Sequence, residues 1–75
     1  MKTLYFGNFV DEGIVTEVKE VCDKEGAVCV SFAVIGRTRH EYLGAELHHM
    51  LGDEYEADIE YWTYKVEIRK KGGTQ

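Results

Sequence analysis

The chain has 75 residues, 44% hydrophobic and 12% aromatic, which suits one small folded domain and not a disordered tail. Fourteen acids against nine Lys and Arg leave a net charge of −5. That balance disfavours sequence-independent binding to nucleic acid and adhesion to anionic membranes, both of which depend on basic side chains.

A domain this small buries only about 60% of the surface its unfolded chain exposes. Its core is therefore thin, and some of its five Tyr, three Phe and one Trp stay outside, which favours self-association or a partner surface. The opening Met1-Lys2-Thr3-Leu4-Tyr5-Phe6 is cut off by Gly7-Asn8 too soon for a secretory apolar region, and no stretch reaches membrane-spanning length. Cys22 and Cys29 are too few for a disulfide framework. These features point to a cytoplasmic protein without a membrane partner. No repeat or linker divides the chain, so residues 1–71 read as one domain and 72–75 as a flexible tail.

In chain order, Leu4–Val10 reads as a short strand interrupted by Gly7 and Asn8, and Asp11-Glu12-Gly13 as a turn. Ile14–Cys22 carries two patterns. Ile14, Val15, Val18, Val21 and Cys22 fit a helical stripe, but the β-branched side chains and Thr16 favour a strand, and the strand is preferred. Asp23-Lys24-Glu25-Gly26 then suits a type I turn closed by a glycine bulge. Ala27–Ile35 follows as a strand, with bulky Val28, Val30, Phe32 and Val34 on one face and Cys29, Ser31, Ala33 and Ile35 on the other. Such a strand is central, with both faces covered. Pairing Asp23 with Ala27, the preferred register, points Cys22 and Cys29 to opposite faces, where they cannot bond, whereas a two-residue Glu25-Gly26 turn would set Cys22 opposite Cys29.

Gly36-Arg37 ends that strand. Thr38-Arg39-His40-Glu41 has the form of a capping box, and Leu43, Leu47, Met50 and Leu51 recur at helical spacing before Gly52. The spacing predicts a helix over about 39–51. Gly44 weakens it and allows another backbone to approach closely.

In Glu54–Arg69 the alternation inverts. Glu54, Glu56, Asp58 and Glu60 share one parity, with Tyr55, Ala57, Ile59 and Tyr61 on the other. Beyond Tyr61 the first parity holds Trp62, Tyr64, Val66 and Ile68. One flat strand with one buried face cannot do this, so two half-strands of opposite orientation meet at Tyr61–Trp62. The order predicts an α+β domain, β-β-β-α-β with a bent continuation or fifth strand, built on a small antiparallel sheet with the helix on one face. An oligonucleotide/oligosaccharide-binding (OB) or SH3-like small barrel is the alternative, on element order alone.

No catalytic or metal-binding motif accompanies these elements, and neither an enzyme nor a cofactor is expected. His40, His48 and His49 are the only histidines. Adjacent helical positions diverge by about 100°, so His48 and His49 do not share an ion, and the histidines are expected to face solvent opposite the Leu43, Leu47, Met50 and Leu51 stripe. Two surfaces carry the functional reading. The first is the row Glu54, Glu56, Asp58 and Glu60, preceded by Asp53. Same-face residues on a strand recur every ~6.6 Å. That interval is of the same order as the one between neighbouring phosphates of a nucleic-acid strand. Such a row fits a basic groove on a nucleic-acid-handling protein, as a mimic that occludes it. In size and charge alone, the chain is similar to the accessory inhibitors that phages and mobile elements encode.

The second surface is aromatic. Tyr61, Trp62 and Tyr64 either enter the core or form an interface, including one between two copies of the chain. Together with Arg37, Arg39 and His40 they also frame the alternative function, stacking on single-stranded nucleic acid, which the overall acidity opposes.

Overall fold

The computed structural model describes residues 1–60 and 64–71. Four strands and two helices follow in the order β1 (Thr3–Phe6), α1 (Glu12–Glu25), β2 (Ala27–Phe32), α2 (Arg37–Leu51), β3 (Tyr55–Glu60) and β4 (Lys65–Lys70). They form one sheet ordered β1-β2-β4-β3. The class is α+β, as expected, but the sheet is mixed: β1 and β2 run parallel, while β2–β4 and β4–β3 are antiparallel. Strands β1 and β3 are its two edges, so the sheet is open and neither an OB nor an SH3-like barrel forms.

The largest departure from the sequence reading is Ile14–Cys22, which lies in a helix and not in a strand. Asp11, in extended geometry, accepts the Ile14 N–H at 2.9 Å and caps the start of α1. Gly26, at φ 89°, ends it, donating its N–H to the Cys22 carbonyl at 2.7 Å. Asp23-Lys24-Glu25-Gly26 is therefore a helix terminus and not a hairpin turn, and the pairing of Asp23 with Ala27 does not exist. The energetic balance is plain. Each β-branched residue costs a helix at most about 0.7 kcal/mol, whereas burying a Val side chain gains ~1.5–3 kcal/mol. Val18 and Cys22 are fully buried and Val15 nearly so. Parallel neighbours β1 and β2 also need a crossover between them, and α1 supplies it.

Helix α2 begins at Arg37 with Gly36 as its N-cap, and no side chain bonds the cap. The Thr38–Glu41 capping box is not made, because both residues already lie inside the helix. The C-terminal reading holds: Gly52, at φ 92°, donates to the His48 carbonyl at 3.1 Å. Strand β2 stops at Phe32, three residues short of the expected end, and Ile35 is 99% exposed.

All the helical cover lies on one side of the sheet. Helix α1 packs on β2 and β4, and α2 on β3. Val28, Val30, Val66 and Ile68 from the two central strands meet Val18, Cys22, Leu43 and Leu47, and none of the eight is exposed. Cross-strand register carries this apolar face outward through Leu4, Ala57 and Ile59. Among the described residues, helices thus cover the central strands on one face only, and Ala27, Cys29 and Ser31 on the other are half-buried. No helix among the described residues is long and apolar enough to cross a membrane.

Gly44 is where the layers come closest. A Cβ there would sit 3.1 Å from both Ile59 Cδ1 and Val66 Cγ2. Gly44→Ala sets about 1 kcal/mol of helix propensity against these contacts and is expected to be near neutral. Gly44→Val has no such room and is expected to lose about 1–3 kcal/mol in urea unfolding.

Candidate partner-binding face

Strand β3 sorts its side chains by alternation. Tyr55, Ala57 and Ile59 turn toward the helices, and Glu56, Asp58 and Glu60 are exposed on the side that no helix covers. The β4 register places Arg69 beside Glu56, Glu67 beside Asp58 and Lys65 beside Glu60. Across β4, Ala27, Cys29 and Ser31 of β2 continue the same rows, and Thr3 and Tyr5 of β1 complete two of them. The face is therefore graded, with uncharged residues at the β1 edge and carboxylates at the β3 edge. Tyr5 is 73% exposed there.

Asp58 opposite Glu67 is a like-charge pair, which destabilises an antiparallel ladder. Arg69 relieves it, reaching Glu67 at 3.0 Å, Glu56 at 3.5 Å and Asp58 at 3.8 Å. The Glu67 hydrogen bond, followed by the charges of Glu67, Asp58 and Glu56 and opposed by desolvation, raises the Arg69 pKa further. These pairs are solvent-exposed and individually weak. One guanidinium serves three carboxylates, so the β3 side keeps a negative excess. Asp53 and Glu54 lie in the exposed turn before β3, and the Glu54 carbonyl accepts the Lys71 N–H just beyond β4.

A second cluster ties the start of β3 to the end of α1. The Tyr55 hydroxyl donates to Asp23 Oδ1 at 2.8 Å, and Lys70 Nζ lies 3.3 Å from the same oxygen. Burial, then the bond to Asp23, pushes the Tyr55 hydroxyl up to about 12. The same bond, chiefly, lowers the Asp23 carboxyl. A raised tyrosine pKa contributes stability that is present below pH ~10 and lost as pH rises toward 12. A lowered aspartate contributes stability present above pH ~4 and lost as pH falls through its folded value. Tyr55→Phe is expected to cost about 1 kcal/mol at neutral pH. The gap from the parent protein, followed by denaturant unfolding across pH, should narrow above pH ~10 and below pH ~4.

Of the residues read as a nucleic-acid platform, the structure brings His40 and Tyr64 into contact. Arg39 donates to the Asn8 carbonyl at 2.9 Å and lies over the Tyr42 ring, 5.2 Å from its centre. His40 is fully buried, against the expectation of a solvent-facing histidine, because it stands one turn before Leu43 on the inner side of α2. Its ring meets Tyr64 edge-on at 5.4 Å, and among the described residues neither ring nitrogen has a hydrogen-bond partner. Tyr64 is 40% exposed with φ 55°, while Tyr61 and Trp62 lie outside the described residues. His48 and His49 are exposed, and His48 Nε2 is 3.0 Å from the Tyr55 carbonyl. An unsatisfied buried polar group costs ~1–3 kcal/mol. His40→Leu is accordingly expected to keep or raise the thermal midpoint, whereas a partnered histidine would lower it.

Cys22 and Cys29 are both free thiols. Cys22 is sealed in the core, where burial raises its pKa, and Cys29 is half-buried on the open face. Among the described residues no three His, Cys, Asp or Glu converge to hold a metal ion. An open groove of about 460 Å³ between α1 and α2, lined by Glu12, Val15, Thr16, Lys19, His49 and Met50, lies on the helical side. Comparison with protein-family models, curated proteins and solved structures gave no match.

Proposed function

We propose that the chain is a protein-binding module that docks the acidic side of its open sheet face on a basic partner and acts by occlusion, with a nucleic-acid-handling protein as the target. One observation carries this reading. Glu56, Asp58 and Glu60 stand in a row on an outermost strand, on the face without a helical layer. A basic surface can approach them without displacing any element of the fold. The spacing of ~6.6 Å suits a groove that reads phosphates by charge, and an excess of acids over Lys and Arg steers the encounter.

The competing function, an oligonucleotide-binding barrel using Arg37, Arg39 and Trp62, draws less support from an open sheet, a buried His40 and an Arg39 already bonded to Asn8. Glu56→Lys combined with Asp58→Lys is expected to abolish capture of the basic partner from its host while leaving circular dichroism and the unfolding midpoint nearly unchanged. Undiminished capture by that variant would overturn the proposal. Quenching of Trp62 fluorescence by single-stranded DNA at low salt would favour the competitor.

A further inference from the structure

The backbone of β3 shows how a partner would engage it, on the premise that the acidic face is the binding face. The Lys71 N–H donates to the Glu54 carbonyl at 2.8 Å. In an antiparallel ladder, hydrogen-bonded and non-hydrogen-bonded pairs alternate. Glu56, Asp58 and Glu60 therefore bond β4, while the backbones of Tyr55, Ala57 and Ile59 point away from the sheet. Tyr55 is already satisfied, its N–H by the Gly52 carbonyl at 3.3 Å and its carbonyl by His48. Among the described residues, nothing meets the outward N–H and C=O of Ala57 and Ile59. The two unpaired residues are thus interleaved with the three carboxylates.

We infer that β3 takes up an extended segment of the partner as a fifth strand, with Lys or Arg at alternate positions beside Glu56, Asp58 and Glu60. A strand added ~4.8 Å away places every second side chain on the open face, at the same interval as the carboxylates. Arg69 flanks the acids from the β4 side, and the added cations flank them from the other. The charge pattern also selects the edge and the occupant. At the opposite edge, Lys2 and Phe6 carbonyls bond β2, so the outward residues of β1 are Thr3 and Tyr5, which carry no charge to recognise a basic strand. A second copy pairing β3 with β3 would set carboxylates against carboxylates.

The probe is a labelled peptide of alternating lysine and valine, followed by fluorescence anisotropy at low salt. Two derivatives carry N-methyl groups on either the valine or the lysine amides, so that one of them blocks the new ladder whichever way the strand runs. The parent protein is expected to bind the peptide, one N-methylated derivative about tenfold more weakly. Ala57→Pro, which removes an outward N–H at an edge position where proline is tolerated, should weaken binding similarly. Absence of binding, or equal binding of both derivatives, overturns strand addition. If Ala57→Pro fails to fold by circular dichroism, the N-methylated peptides decide alone. Glu56→Lys/Asp58→Lys separates the two readings. Loss of binding in that variant alone, with the backbone changes silent, leaves the acidic face standing and removes the fifth strand. Unchanged binding in it removes both.

Discussion

Eight side chains with no solvent exposure hold the two layers together: Val18 and Cys22 of α1, Leu43 and Leu47 of α2, and Val28, Val30, Val66 and Ile68 of the central strands. The rest of the molecule follows from this seam. A 75-residue chain has apolar side chains enough for one such layer, so the second face of the sheet has no helix over it among the described residues. The helices also come close enough that Gly44 has no space for a branched side chain. His40 is drawn into the same seam by its place one turn before Leu43, at the cost of two nitrogens unpartnered among the described residues.

One-sided burial explains the surface. Every residue that strands β3 and β4 turn away from the helices is charged, and the edge strand carries only acids there. In-line charge on an edge discourages indiscriminate pairing with other chains. On the strand addition proposed above, it also sorts partners, because a neutral or acidic strand meets the same backbone groups of Ala57 and Ile59 without compensation for the carboxylates around them. Arg69 limits the repulsion enough for Asp58 and Glu67 to sit opposite each other, and leaves the excess on the β3 side.

The inversion of parity in Glu54–Arg69 was legible because alternation has a period of two and cannot change phase within one flat strand. Strands β3 and β4 pair antiparallel and both direct their apolar parity to the same core, while the expected junction at Tyr61–Trp62 lies outside the described residues. The carboxylate row was legible for the same reason. In Ile14–Cys22 the β-branched side chains favour a strand, but the helical stripe prevails, bracketed by Asp11 as N-cap and Gly26 as C-terminal glycine. Both caps belong to segments that equally suit turns, Asp11-Glu12-Gly13 and Asp23-Lys24-Glu25-Gly26, and burial of the stripe decides between the two. Thr38 failed in the opposite sense, as a cap signal that the helix overran.

By itself the sequence determined local matters: the α+β class, the alternation of β2, β3 and β4, the span of α2 to within about two residues, and which carboxylates share a face. These depend on periodicities and caps that a few neighbouring residues express. Only the tertiary structure decided that β1 and β2 are parallel, that α1 crosses between them, that Arg69 is shared by three acids, and that Ala57 and Ile59 face an open edge. Strand order and register join residues far apart in the chain, such as Cys29 with Glu67, and no local pattern encodes which distant strand will bury a given face.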